Sequence, residues 1–115
     1  MITQVKVSTI FKMLSDTNRL RIINLLMQKE LCVCHMAELL GITQTNVSHH
    51  LAKLHAAGVV HYRKDGQWIY YSLSEDFVKD NHQLFEYLTQ VFSLESIYKD
   101  DIKTLHTMGD SHCRA

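Results

Sequence analysis

Apolar positions along this chain fall first in a helical rhythm and then in a strand rhythm. Val7, Ile10, Phe11 and Leu14 sit at i, i+3, i+4 and i+7, one face of a helix over residues 3–14. Ser15-Asp16 reads as a stop and a fresh N-cap. Leu20, Ile22, Ile23, Leu25 and Leu26 then mark a strongly apolar second helix that ends near Gln28-Lys29. Leu31-Cys32-Val33 is a short extended piece. A third helix over about 34–40 carries Met36, Leu39 and Leu40, with Gly41 where a left-handed residue ends a helix. Thr43 can cap a fourth helix, about 44–57, whose inward positions are Val47, Leu51 and Leu54; Gly58 closes it in the same way.

The period then changes. Val59–Lys64 and Gln67–Leu73 are rich in β-branched and aromatic residues, and Asp65-Gly66 between them is a strong two-residue hairpin signal. Ser74 can cap a following helix, with Glu75 and Asp76 suiting its dipole. That helix carries Phe77, Leu84, Phe85, Leu88, Val91 and Phe92 to about residue 92; another helical stretch covers about 93–106, and 108–115 reads as a frayed tail. The prediction is a mainly α fold with a small β-hairpin. Four helices, with a short extended piece between the second and third, precede the hairpin, and one or two helices follow it. Two short helices joined by the tight turn Gly41-Ile42-Thr43 resemble a helix-turn-helix over 34–57, and the hairpin at 59–73 makes it winged.

Composition narrows the class. At 115 residues the chain fits one domain, and four glycines with no proline favour long helices. No run approaches the ~18–20 apolar residues of a membrane helix, and Met1–Lys6 lacks the layout of a signal peptide. Three cysteines, two of them two apart, make a poor disulfide framework, so the expectation is a cytoplasmic protein with free thiols and no membrane partner. The net charge is zero, yet residues 1–73 hold eight Lys/Arg against four Asp/Glu and residues 74–115 hold four against eight. A basic front half suits a polyanion such as double-stranded DNA, although so small an imbalance also arises by chance. No P-loop, glycine-rich nucleotide fingerprint or H-E-x-x-H occurs, and nothing orders Cys and His as nucleophile and base, so no enzyme is read here.

In a helix-turn-helix the second helix enters the major groove, with its N-terminal residues at the base edges. Here that stretch holds Gln44, Thr45, Asn46, Ser48, His49 and His50. Gln and Asn can bond adenine bidentately, and Ser and Thr suit several edges. Lys53, Arg63, Lys64 and Gln67 add contacts of the phosphate and wing type. A solvated polar face is the alternative. His49 and His50 diverge by about 100° on a helix and would chelate a metal poorly. Cys32 and Cys34, by contrast, are separated by one residue, so extended backbone lets their sulfurs converge. Thiolates select soft or borderline ions: As(III), Sb(III), Cd(II), Pb(II) or Zn(II). Two buried cysteines acting as small hydrophobes are the alternative.

These motifs together resemble a known family. Leu14-Ser15-Asp16-Thr17-Asn18-Arg19-Leu20-Arg21-Ile22 is similar to the opening of the ArsR/SmtB repressors. Glu30-Leu31-Cys32-Val33-Cys34 is similar to their E-L-C-V-C-D metal motif, with His35 in place of the acid. Val47–Leu54 resembles their recognition helix, and Gly58–Leu73 their wing. The resemblance implies a winged-helix homodimer that represses its own operon and dissociates from its operator when an inducer binds. It also implies dimerisation through the first and last helices, 1–14 and 75–106, where Val7, Ile10, Phe11, Phe85, Leu88 and Phe92 suit either an interface or the internal core.

Within the family the likeness points most to the arsenic branch, with As(III) or Sb(III) as inducer. That branch supplies a third thiolate three residues after the second, a place held here by Ala37. The pair alone, His35, or Cys113 from the tail or the other subunit remain as completions. The family's other site, D-x-H followed by H-x-x-H, is matched by Asp80 and His82 but meets Ser93 and Ser96 at its second half, so no zinc site of that kind is expected. A thiol redox switch on the same scaffold is a different reading. Because Cys32 and Cys34 are too close for a relaxed disulfide, it would need Cys113.

Overall fold

A computed structural model describes residues 6–108. The helices are α1 (Val7–Leu14), α2 (Thr17–Leu26), α3 (Val33–Leu40), α4 (Gln44–Ala56), α5 (Glu75–Asp80), α6 (His82–Phe92) and α7 (Ser96–Met108). The strands are β1 (Leu31–Cys32), β2 (Val60–Asp65) and β3 (Trp68–Leu73), in the antiparallel order β1-β3-β2. This is a mainly helical winged helix-turn-helix.

Local chemistry sets most boundaries. The Asp16 carboxylate accepts from the Arg19 amide at 3.1 Å, Thr43 Oγ1 from Asn46 at 3.1 Å, and Ser74 Oγ from Phe77 at 3.3 Å. Each satisfies one orphan donor of a helix start. Gly41 ends α3 at φ 68°, ψ 30°, and both its amide and that of Ile42 donate to the Ala37 carbonyl. Ile22, Ile23, Leu25, Met36, Val47, Leu51, Leu54, Val59, Val60 and Phe77 are fully buried, so α2, α3, α4, the base of the wing and α5 share one core.

Three expectations change. The helix read as continuous from 74 to 92 breaks at Asn81, whose backbone leaves the helical region (φ −126°, ψ 37°). Asn81 falls four residues after Phe77 and four before Phe85, on the apolar stripe itself. Its side-chain amide donates to the Phe77 carbonyl at 3.0 Å, and the bend lets Phe77 meet Phe85 edge-on at 5.9 Å. The wing's two-residue loop is Gly66-Gln67, because Asp65 still pairs with Trp68. Only Gly66 has positive φ (62°), as a turn of type II′ requires at its first central position. Met108, read as the start of a frayed tail, is helical; residues 109–115 lie outside the described residues.

The apolar face of α1 is largely uncovered in the single chain: Val7 and Phe11 are each 66% exposed. Phe85, Leu88 and Phe92 are instead core. Tyr87 of α6, Leu94 in the turn between α6 and α7, and Ile97 of α7 are the exposed large apolar residues of the C-terminal part of the described chain. No helix among the described residues is long and apolar enough to cross a membrane.

Candidate nucleic-acid interface and thiol pair

Gln44, Thr45, Asn46, Ser48 and His49 are exposed on the first turns of α4, while Val47, Leu51 and Leu54 anchor the opposite face with no surface left. Spacing by 3.6 residues produces this division: three inward apolar positions leave the polar N-terminal cluster facing out. Lys53, Lys64 and Gln67 are also exposed.

His50 departs from the rest. It is partly buried, and its Nδ1 lies 3.2 Å from Arg19 Nη1. A guanidinium only donates, so Nδ1 accepts and the ring proton sits on Nε2, which lies 3.8 Å from the Asp16 carboxylate. Burial, opposed by Asp16 and reinforced by the Arg19 charge, pulls the imidazole below its ordinary pKa. The buried Arg19 also donates to the Met13 carbonyl at 2.9 Å and to that of Lys12 at 3.2 Å. His50 therefore braces α4 against the end of α1 and the start of α2 rather than extending the exposed row.

Arg63 is also engaged. Its Nε donates to Glu30 Oε2 at 3.0 Å, its Nη2 reaches Oε1 of the same carboxylate, and its guanidinium lies over the Tyr70 ring at 4.7 Å. The ion pair holds the Glu30 carboxyl below its usual range.

The two cysteines lie close, as their spacing predicts, with Cys32 Sγ and Cys34 Sγ 3.9 Å apart. The expectation of free thiols holds only for Cys32, however: Cys34 is disulfide-bonded in this structure. Cys32 is the N-cap of α3, buried, and pairs with Tyr70 across β1–β3; Cys34 lies in the first turn of α3 and is half-buried. A groove of about 220 Å³ runs past both sulfurs, with Gln44 of α4 on one wall and Gln67, Trp68 and Ile69 of the wing on another. A second, of about 290 Å³, brings Cys32 and His35 beside Glu30, Arg63 and Tyr70. The sulfurs thus stand where the start of α4 and the wing converge.

Other residues fall where no ligand set forms. Ala37 is buried and offers no donor atom. Asp80 and His82 are exposed on either side of the Asn81 break. Cys113 lies outside the described residues. Among the described residues no three His, Cys, Asp or Glu side chains gather to hold a metal ion.

Sequence reasoning missed two polar connections. One is the Arg19–His50–Asp16 brace. The other joins α2 to α7: Arg21 makes a fork onto Asp101 (2.8 and 2.9 Å) and donates to the Leu40 carbonyl at 3.2 Å. Arg19 and Arg21 within an otherwise apolar run were the available signal, but their partners lie too far along the chain to be read.

Residues 16–62 match the profile described as "Bacterial regulatory protein, arsR family". The chain is 42% identical over 74 residues to a protein from Staphylococcus aureus named cadmium resistance transcriptional regulatory protein CadC homolog, covering 64% of this chain. It spans only 61% of that relative's length. It is 36% identical over 85 residues to the arsenic resistance transcriptional regulator ArsR2 of Pseudomonas putida, covering 73% of this chain and 74% of that protein. Its fold resembles a solved homodimeric winged helix-turn-helix DNA-binding domain from Mycobacterium bovis, described as a possible ArsR-family transcriptional regulator. The TM-score is 0.64 at 30% identity, over 73% of this chain and 78% of that one.

Proposed function

The chain belongs to the arsR family of bacterial regulatory proteins, transcriptional regulators rather than enzymes, and from that premise we propose that it is a metal-responsive repressor. It binds double-stranded operator DNA as a cytoplasmic homodimer and lets go when a thiophilic ion binds Cys32 and Cys34. As(III) or Sb(III) is the first choice of inducer. Gln44, Thr45, Asn46, Ser48 and His49 face the base edges, and Lys53, Lys64, Arg63 and Gln67 the backbone. The exposed Val7 and Phe11 of α1, with Leu94 and Ile97 near α7, are the surface offered to a second subunit.

The observation that carries this reading is the sulfur pair at 3.9 Å between α4 and the wing. For a zinc–sulfur bond of about 2.3 Å, tetrahedral geometry puts two thiolate ligands about 3.8 Å apart, so the sulfurs stand at chelating distance once the Cys34 disulfide is reduced to a thiolate. A bound ion supplies soft Lewis acidity and a local positive charge. Cys32 fixes the end of β1 and Cys34 the first turn of α3, so clamping the two changes how α3 meets both the wing and α4. DNA and inducer affinities then fall together by one coupling free energy, since linkage is reciprocal.

Curated relatives named as cadmium regulators support a second choice of inducer, Cd(II), Pb(II) or Zn(II) at the same pair. Titrating each ion into the reduced protein–operator complex, with wild type and with a Cys32→Ser/Cys34→Ser double variant, decides both questions. Release by As(III) from wild type alone is expected; release of the double variant would sink the thiol-pair reading.

A further inference from the structure

Arg63 stands on the wing where a DNA backbone would pass, yet the Nε/Nη2 fork of its guanidinium is already taken. Glu30 accepts from both Nε and Nη2, and Asp65 lies 3.9 Å from Nη1. Stacking on Tyr70 fixes the guanidinium plane while leaving about half of the side chain open to solvent. A carboxylate and a phosphate accept the same planar fork of donors, so they compete for one arginine. Glu30 is itself half-exposed, and an ion pair in such a place is weak and salt-screened, within reach of displacement.

The placement is not an isolated surface contact. Arg63 pairs with Tyr70 across β2–β3, and Tyr70 pairs with Cys32 across β1–β3, so Arg63, Tyr70 and Cys32 form one row across the sheet. Glu30 is the residue immediately before β1. The carboxylate that holds Arg63 is therefore positioned by the same short strand that positions Cys32.

We infer that Glu30 is an intramolecular stand-in for DNA phosphate, masking Arg63 until the backbone of a duplex displaces it. This deepens the DNA-binding reading and rests on it. Glu30 sets how much of the wing's charge is available to DNA; Arg63 is a phosphate contact that operates only after exchange.

Binding of a random-sequence 30-base-pair duplex, measured by fluorescence anisotropy across a salt series, tests this without knowledge of the operator. Glu30→Gln should bind about threefold to tenfold tighter than wild type, with a log–log salt slope steeper by about 0.9, the value of one phosphate contact. Glu30→Asp, which keeps the charge but shortens the reach, should shift the same way. In an Arg63→Ala background, Glu30→Gln should change affinity by less than about twofold, because a lone exposed charge is screened at ordinary ionic strength. Equal tightening in both backgrounds would show a general charge effect and overturn the mask while leaving DNA binding intact. So would unchanged affinity of Glu30→Gln beside wild type. Failure of both wild type and Glu30→Gln to bind duplex would overturn the DNA-binding reading itself, and the mask with it.

Discussion

The two ends of α3 are held in different ways. At its C-terminal end Gly41 closes the helix, and Arg21 ties the Leu40 carbonyl to the buried Asp101 of α7 and to Asn18 of α2. At its N-terminal end the helix hangs from a two-residue strand, with a groove on either side of Cys32. One end is pinned by a fork of charge-assisted hydrogen bonds, and the other can be re-set by whatever joins two sulfurs. Because α4 follows the pinned end directly, the proposed mechanism would have a small movement at the cysteines tilt α3 about a fixed point beside α4.

Arg21→Ala should cost about 3–5 kcal/mol in a urea unfolding experiment, because it strands the buried Asp101 carboxylate. A loss under ~1 kcal/mol would mean that the pin is an ordinary surface pair. Serine at both Cys32 and Cys34 should erase an inducer coupling of about 1–3 kcal/mol while operator affinity without inducer stays near that of wild type. Gly41→Ala should destabilise by about 1–2 kcal/mol. Nothing crowds a Cβ there, so the whole cost is the positive φ of 68°.

The smallest effect is expected at His50. Its pKa is depressed in the fold, so the unfolded chain takes the proton at higher pH than the folded one. Stability from this group is therefore complete above the ordinary histidine value of about 6.5 and declines as pH falls through it. His50→Gln should flatten that slope in denaturation curves taken between about pH 5 and 7. An unchanged slope would remove His50 from the account of how α4 is braced.

What could be read from the sequence, and what could not, divides along the same line. Thr43, Ser74 and Gly41 announce helix ends because capping is decided within three or four residues. Cys32 and Cys34 announce their meeting because extended backbone repeats every two residues. The break at Asn81 has a local clue, a polar residue on an apolar stripe, which the helical periodicity around it overrides. The hairpin was found but its loop was placed one residue early, since strand register depends on which pairs close. The pairings that distinguish the two ends of α3 were beyond local reading. Arg21 and Asp101 are 80 positions apart, Arg63 and Glu30 33, and Tyr70 faces Cys32 only through the sheet register.

The sheet order described above has a consequence for how copies of the chain keep apart. With β3 in the middle, both β1 and β2 are edge strands, the usual places where another chain adds itself. Strand β1 is two residues long, too short to template much. The longer β2 carries Arg63, Lys64 and Asp65 in succession, so an incoming strand meets charge along that border. The exposed Tyr62 and Ile69 lie on the same hairpin, which makes those charges the guard against wing-to-wing aggregation.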